Sequence, residues 1–388
     1  MHNFPPLLHM IRDLIGTPSV SSVEPAMDMG NLAVIELLAN WLDNSEFRVE
    51  VMPLPGEHRK ANLIATLGSG TGGLVLSGHT DTVPYDVGKW THDPFSLTEV
   101  DSRLYGLGTS DMKSFLALAL EASREAHADK LKEPLILLAT ADEETSMAGA
   151  KALVEHDRPH ARYAIIGEPT GLRPVRMHKG ILMESIHLQG RSGHSSDPSL
   201  GNSALEAMHT VINTLLSWRT ELQSNNRDAL FAVPVPTLNL GHIHGGDNPN
   251  RICPECELHI DLRPLPGMDA QQLRGEMHHR ILACLQDTGI ETRFASLSAG
   301  VPGMETPANA AIVKLAEKLT GHATQAAAFA TEAPYLRQLG MDTVVLGPGD
   351  IAQAHQPDEY LALDRLTPTI DILKQVINTV CVRADPLI

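Results

Sequence analysis

Cysteine is scarce, with four residues in a chain of 388. So few thiols in so long a chain exclude a disulfide scaffold. Cys253 and Cys256 have the CxxC spacing but no second pair to complete a structural zinc site. In an extended segment those two positions would point to opposite sides of a sheet. Positive charge is in deficit, 30 Lys+Arg against 47 Asp+Glu, for a formal net charge of −17. With no long basic run, nucleic acid is an unexpected partner. Two bound divalent cations would offset only part of this charge, so the count does not itself argue for metal. No apolar run approaches the ~20 residues of a membrane span. The first residues, Met1 to Thr17, hold Pro5-Pro6 and Arg12 and lack a signal-peptide core with a cleavage site, so the cytoplasm is the expected location. Internal repeats and low-complexity tracts are also missing; residues 325–330 are merely alanine-rich.

What remains is an ordinary globular composition, 43% hydrophobic and 20% charged. The length suits two domains, or one large α/β domain carrying an insertion. Within it, Leu74 to Ser77 reads as a buried strand that stops at Gly78 and is followed by His79 and Asp81. Alone, His-x-Asp is equally well read as a satisfied histidine at a strand end. Three further apolar runs finish the same way. Leu135 to Thr140 leads to Asp142-Glu143-Glu144, Ala164 to Gly167 to Glu168, and Val344 to Gly347, after a Pro-Gly loop, to His355. Between the first two lies the glycine-rich Gly106 to Asp111, opening a helical run at Met112. Open α/β sheets bind ligands just beyond the carboxyl ends of their parallel strands, so these residues are expected to share one site.

Taken in order, the chain predicts helices over Leu7 to Ile15 and Met29 to Leu42 and strands over Phe47 to Met52, Asn62 to Leu67 and Gly73 to Gly78. Lys89 to Asp101 reads as a loop or hairpin over the site, and Met112 to His127 and Ala148 to Glu155 as helices. Past residue 180 the pattern changes. Ile181 to Leu188, Thr237 to His242, Cys253 to Leu262 and Glu291 to Ala295 read as strands. Ala204 to Leu216 and Ala270 to Leu285 read as helices, giving the β-α-β-β-α-β order of a ferredoxin-like domain. Helix–strand alternation then resumes with Ala310 to Leu319 and Thr343 to Leu346, and the chain closes on a helix from Thr367 to Val382. The expected architecture is α/β: a mixed, largely parallel sheet with helices on both faces, formed by residues 1–179 and 297–388. An α+β domain, residues 180–296, is inserted into it.

A catalytic zinc takes about three protein ligands and keeps one position open. Two zincs sharing one carboxylate need five, and His79, Asp111, Glu144, Glu168 and His355 supply that set. Asp111 would bridge. Metals about 3.5–4 Å apart can activate a water and polarise a scissile carbonyl. Glu143, beside Glu144, is the natural proton carrier; a solvated pair of loop acids is the competing reading. His242 and His244 are spaced like a metal pair but read better as loop residues.

The segments Gly78 to Pro84, Leu107 to Lys113, Ala141 to Glu144 and Gly167 to Thr170 together resemble the dinuclear zinc amidohydrolase and peptidase family, which includes aminoacylases, carboxypeptidases, desuccinylases and deacetylases. The resemblance runs over nearly the whole chain. It implies that His79 and Glu168 hold one zinc, Glu144 and His355 the other, and that Asp111 bridges. It further implies that Asp81 orients His79 and that Glu143 is the base, with cobalt able to replace zinc. Glu168 resembles the deacylases and carboxypeptidases rather than the aminopeptidases. Ser114 departs from the glycine of many relatives, a small change. The inserted domain would act as a lid and form a homodimer, and its Ser192-Gly193-His194 loop would place His194 as an oxyanion stabiliser in the partner's site. Asn250, Arg251 and Arg263 are candidates for the carboxylate of a small N-acyl amino acid, since guanidinium binds carboxylate bidentately. For Arg263 a structural ion pair is an equal reading.

Overall fold

The computed structural model describes residues 2–298 and 300–383; the last five residues of the expected final segment lie outside the described residues. Two compact units result: Met1–Arg176 with Thr306–Gln325 and Thr331–Ile388, and Met177–Glu305 with Ala326–Ala330.

The larger unit begins with α1 (Leu7–Ile15), α2 (Leu32–Leu42), β1 (Arg48–Pro53), β2 (Ala61–Leu67) and β3 (Leu74–His79). The short strands β4 (Thr98–Val100) and β5 (Arg103–Tyr105) form a hairpin that begins inside the expected Lys89 to Asp101 segment and ends beyond it, followed by α3 (Lys113–Ser123), β6 (Leu135–Thr140), α4 (Ala148–Glu155), β7 (Tyr163–Ile166) and β8 (Val175–His178). The smaller unit holds β9 (Leu182–Gln189), α5 (Ala204–Asn225), β10 (Thr237–Gly245), β11 (Glu255–Arg263), α6 (Ala270–Cys284), β12 (Glu291–Ser296) and β13 (Met304–Glu305). After them come α7 (Ala311–Thr320), β14 (Gln325–Ala327), α8 (Ala333–Gln338), β15 (Asp342–Val345), β16 (Tyr360–Ala362) and α9 (Leu366–Ile377).

In the large sheet the strands run β1-β2-β6-β3-β7-β15-β8. Strands β6, β3, β7 and β15 are mutually parallel neighbours; β1, β2 and β8 join antiparallel. The four parallel strands are the four apolar runs that lead to candidate ligands. Every residue of β3, β6 and β7 is buried, as a sheet covered on both faces requires. Alternate residues Leu74, Leu76, Leu135 and Leu137 join α1, α2, α3, α7 and α9 in one core, while Val75, Ile136 and Leu138 are buried on the opposite face. There α4 and α8 pack together, with α8 against β15.

In the smaller unit the antiparallel order is β10-β11-β9-β12. On β11, Cys256, Leu258, Ile260 and Leu262 face the helices, meeting Val211, Leu215 and Trp218 of α5 and Met277 and Ile281 of α6. Helix α5 runs past its expected end at Leu216 because Trp218 and Leu222 continue the buried stripe. Its start is N-capped by Ser203, whose hydroxyl accepts from the Glu206 amide. Among the described residues no helix is long and apolar enough to cross a membrane.

Candidate active site

Four of the five candidate ligands follow the carboxyl ends of the parallel strands, and Asp111 comes from the loop before α3. His79 ends β3 and is 1% exposed. Its Nδ1 lies 2.9 Å from the Asp81 carbonyl oxygen, so Nδ1 carries the proton and donates it. Its Nε2 then faces Asp111 Oδ1 at 3.1 Å and Glu168 Oε1 at 3.8 Å. Asp111 presents its other oxygen, Oδ2, to His355 Nε2 at 3.6 Å, and Glu144 lies 3.2 Å from the same nitrogen. Thus Asp111 sits between two histidines, each with its own glutamate. A Glu143 carboxylate oxygen lies within 4.8 Å of potential donor atoms of His79 and Glu168.

The turn that carries Glu143 and Glu144 is held from beneath. The Asp81 carboxylate accepts both of their backbone N–H groups, at 3.2 and 3.0 Å. Asp81 also reaches His79, its main-chain carbonyl lying 2.9 Å from Nδ1 and its carboxylate 3.7 Å from the same nitrogen. Asp142, at φ 59°, is anchored by Lys60 Nζ at 2.8 Å and by the Ser21 hydroxyl at 2.9 Å.

The donor set fits divalent cations. Glu168 Oε1 is buried without a hydrogen-bond partner among the described residues, and buried carboxylate oxygens are rarely left so. Burial first, then Asp111, Glu143 and Glu144, push the Glu168 pKa well above the carboxylate range, against the pull of His79. Glu143 is raised likewise by burial and by Glu144, Asp81 and Asp111. Burial opposes charging His79, yet Glu168, Asp111 and Asp81 hold its pKa well above the histidine range. The Glu144 contact chiefly raises His355 to about 9. So dense a set of acids around two imidazoles is a site short of positive charge, which a metal supplies.

Two further buried carboxylates escaped the sequence reading. Glu332, which precedes α8, accepts the hydroxyls of Ser77 on β3 at 2.5 Å and Thr140 on β6 at 2.7 Å. Glu359 accepts main-chain N–H groups from Gly108, Ser110 and Asp111. Neighbouring Asp358 accepts those of Thr91 and His92, tying down part of the loop expected over the site. The only sequence signal for Glu359 is its place four residues after His355, just before the apolar turn of Tyr360-Leu361.

The remaining candidates belong to the smaller unit. His194 is exposed on its loop, bridged to Arg251 through the main chain, and its Nδ1 accepts from the Ser196 amide at 3.2 Å. The Asn250 carbonyl accepts from the Ser195 amide at 3.0 Å. Arg251 pairs with Asp247, and Arg263 Nε lies 2.9 and 3.0 Å from the two Asp261 oxygens. His242 and His244 are strand residues rather than loop residues. A bulge after Leu240 turns them to the face of β10 away from the helices, where the His242 and His259 ring centroids are 4.7 Å apart.

Solved structures share this fold. A tripeptidase from Staphylococcus aureus is 19% identical with a TM-score of 0.74, covering 96% of this chain and 97% of that one. A metallo-carboxypeptidase from Sulfolobus solfataricus is 19% identical with a TM-score of 0.76, covering 96% and 99%. A di-peptidase from Saccharomyces cerevisiae is 13% identical with a TM-score of 0.70, covering 96% and 95%. At such identities the likeness is one of fold. The sequence itself goes further: from residue 75 to residue 379 it matches the profile of peptidase family M20/M25/M40, and the chain belongs to that family.

Proposed function

We propose that this protein is a metal-dependent amide hydrolase that removes the acetyl group from N2-acetyl-L-ornithine, giving L-ornithine and acetate, a step of arginine biosynthesis. The observation that carries the reading is Asp111, with one carboxylate oxygen toward His79 and the other toward His355. In this reading His79 and Glu168 would hold one zinc ion and Glu144 and His355 a second, with Asp111 available to both. When bound, such ions supply Lewis-acid polarisation of a carbonyl and a lowered water pKa, and cobalt substitutes in the same donor set. Glu143 does the proton work: it takes a proton from the attacking water and delivers it to the departing nitrogen. Asp81 keeps the Glu143-Glu144 turn in place through two amide bonds. Residues 180–296 act as lid and homodimer contact, His194 stabilises the oxyanion from the partner subunit, and Asn250, Arg251 and Arg263 receive the substrate carboxylate.

Support for the acetylornithine assignment comes from the stretches His178-Lys179-Gly180, Gly190 to Pro198, Pro236 to Asp247, Thr331 to Pro334 and Gly347 to Tyr360, which resemble acetylornithine deacetylase. The test is turnover of N-acetyl-L-ornithine beside N-succinyl-diaminopimelate and several dipeptides. Preference for acetylornithine is expected. Preference for either of the others overturns the substrate, and metal binding without hydrolysis of any of them marks a binding protein.

A further inference from the structure

The loop that delivers Asp111, Gly106–Asp111, is held largely through its main chain. Gly106 and Gly108 adopt φ values, 152° and 87°, that favour glycine. Its amides turn inward on one residue. Glu359 Oε1 accepts the N–H of Ser110 at 2.7 Å and of Asp111 at 2.9 Å, and Oε2 accepts that of Gly108 at 3.1 Å. The Glu359 carbonyl oxygen takes a fourth, from Gly106, at 3.0 Å. One buried residue thereby satisfies four amides of a six-residue loop. The same segment carries His355, which along with Asp358 adopts a left-handed conformation, φ 60° and 56°. Upstream, the Asp350 amide donates to the Ser110 hydroxyl at 3.0 Å. The loop of the shared carboxylate and the loop of the last histidine are therefore built on each other.

We propose that Glu359 is a positioning residue that fixes the Gly106–Asp111 loop relative to His355, and so holds Asp111 where the candidate ligands converge. This rests on the reading of His79, Asp111, Glu144, Glu168 and His355 as metal ligands. Glu359 touches none of the reacting atoms; it acts through Asp111. A carboxylate is required because both oxygens are used as acceptors. In Glu359→Gln, whichever way the amide turns, an NH2 group meets an N–H donor and at least one loop amide loses its bond. Partners behind metal ligands commonly carry about 10- to 100-fold in metal affinity or activity.

The experiment measures metal affinity of the full chain by competition between Zn2+ and a chromogenic chelator, with the unfolding midpoint of the stripped protein beside it. Glu332→Gln is the control. It removes a buried carboxylate close to the same site, but its partners are hydroxyls that can reverse and accept from an amide. Glu359→Gln is expected to weaken metal binding by about 10- to 100-fold, and Glu332→Gln to leave it near wild type. Equal losses in the two variants, or wild-type affinity in Glu359→Gln, overturn the proposal. Should Glu359→Gln fail to fold, Glu359→Asp retains the charge and shortens the reach. Weakened binding in its folded, stripped form supports the proposal, and wild-type affinity there overturns it. Wild-type protein that binds no metal overturns the ligand reading and this inference with it.

Discussion

His178, away from the site, shows how burial acts on a titratable side chain. It is 0% exposed, its Nδ1 lies 2.8 Å from the Lys179 carbonyl oxygen, and burial pulls its pKa down to about 4. An unfolded histidine titrates near 6.5, so between the two values the unfolded chain binds more protons. Stability that His178 contributes is thus complete above about pH 6.5 and is lost as pH falls toward about 4, by up to about 3 kcal/mol. Urea midpoints of metal-stripped protein across that range should fall more steeply for wild type than for His178→Gln. Parallel curves would contradict the assignment. At this scale the sequence was informative wherever chemistry demands a residue type: His79, Asp111, Glu144, Glu168 and His355 do come together. It was silent on Glu359 and Glu332, because an acid that accepts main-chain amides or hydroxyls carries no spacing rule that separates it from a surface acid.

Among the elements, those with strong periodicity were legible and those defined by contact were not. Helix α4 spans Ala148–Glu155 as expected, and the four parallel strands are the four apolar runs. Helix α8 and strand β8 went unread: each is short and is defined by its neighbours, α8 by packing on β15 and β8 by pairing with it. Element packing also reaches the site. A Cβ added at Gly167, at the end of β7, would stand 1.9 Å from Phe115 Cγ on α3, and the next residue is Glu168. Gly167→Ala should therefore destabilise by about 1–3 kcal/mol, the usual cost of overfilling a packed core. Trimming the ring with Phe115→Leu should recover part of that loss. A double-mutant cycle by urea unfolding measures the coupling, and strictly additive effects would show that the helix does not press on this strand end.

At the scale of the whole molecule, His79, Asp111, Glu144, Glu168 and His355 all belong to the larger unit and His194 to the smaller one. The exposed His194 loop bears on that division. If each site takes His194 from the partner subunit, mixing Glu143→Ala chains with His194→Ala chains under exchange should restore activity. With equal amounts, random pairing makes half the dimers mixed. One site in each mixed dimer is then intact, so about a quarter of all sites recover in a two-fold dimer. Activity that stays at the level of the separate variants, with exchange demonstrated, contradicts the trans arrangement. The central claim is that this chain hydrolyses amides with metal held by its five ligands and Glu143 as proton carrier. It is tested most directly by titrating chelator-stripped wild type and Glu143→Gln with Zn2+, reading bound metal and N-acetyl-L-ornithine turnover together. Both are expected to bind two equivalents, with wild-type turnover appearing only as they bind and Glu143→Gln staying about 10²- to 10⁴-fold lower. Full turnover by the stripped protein, or loss of metal from Glu143→Gln, would contradict it.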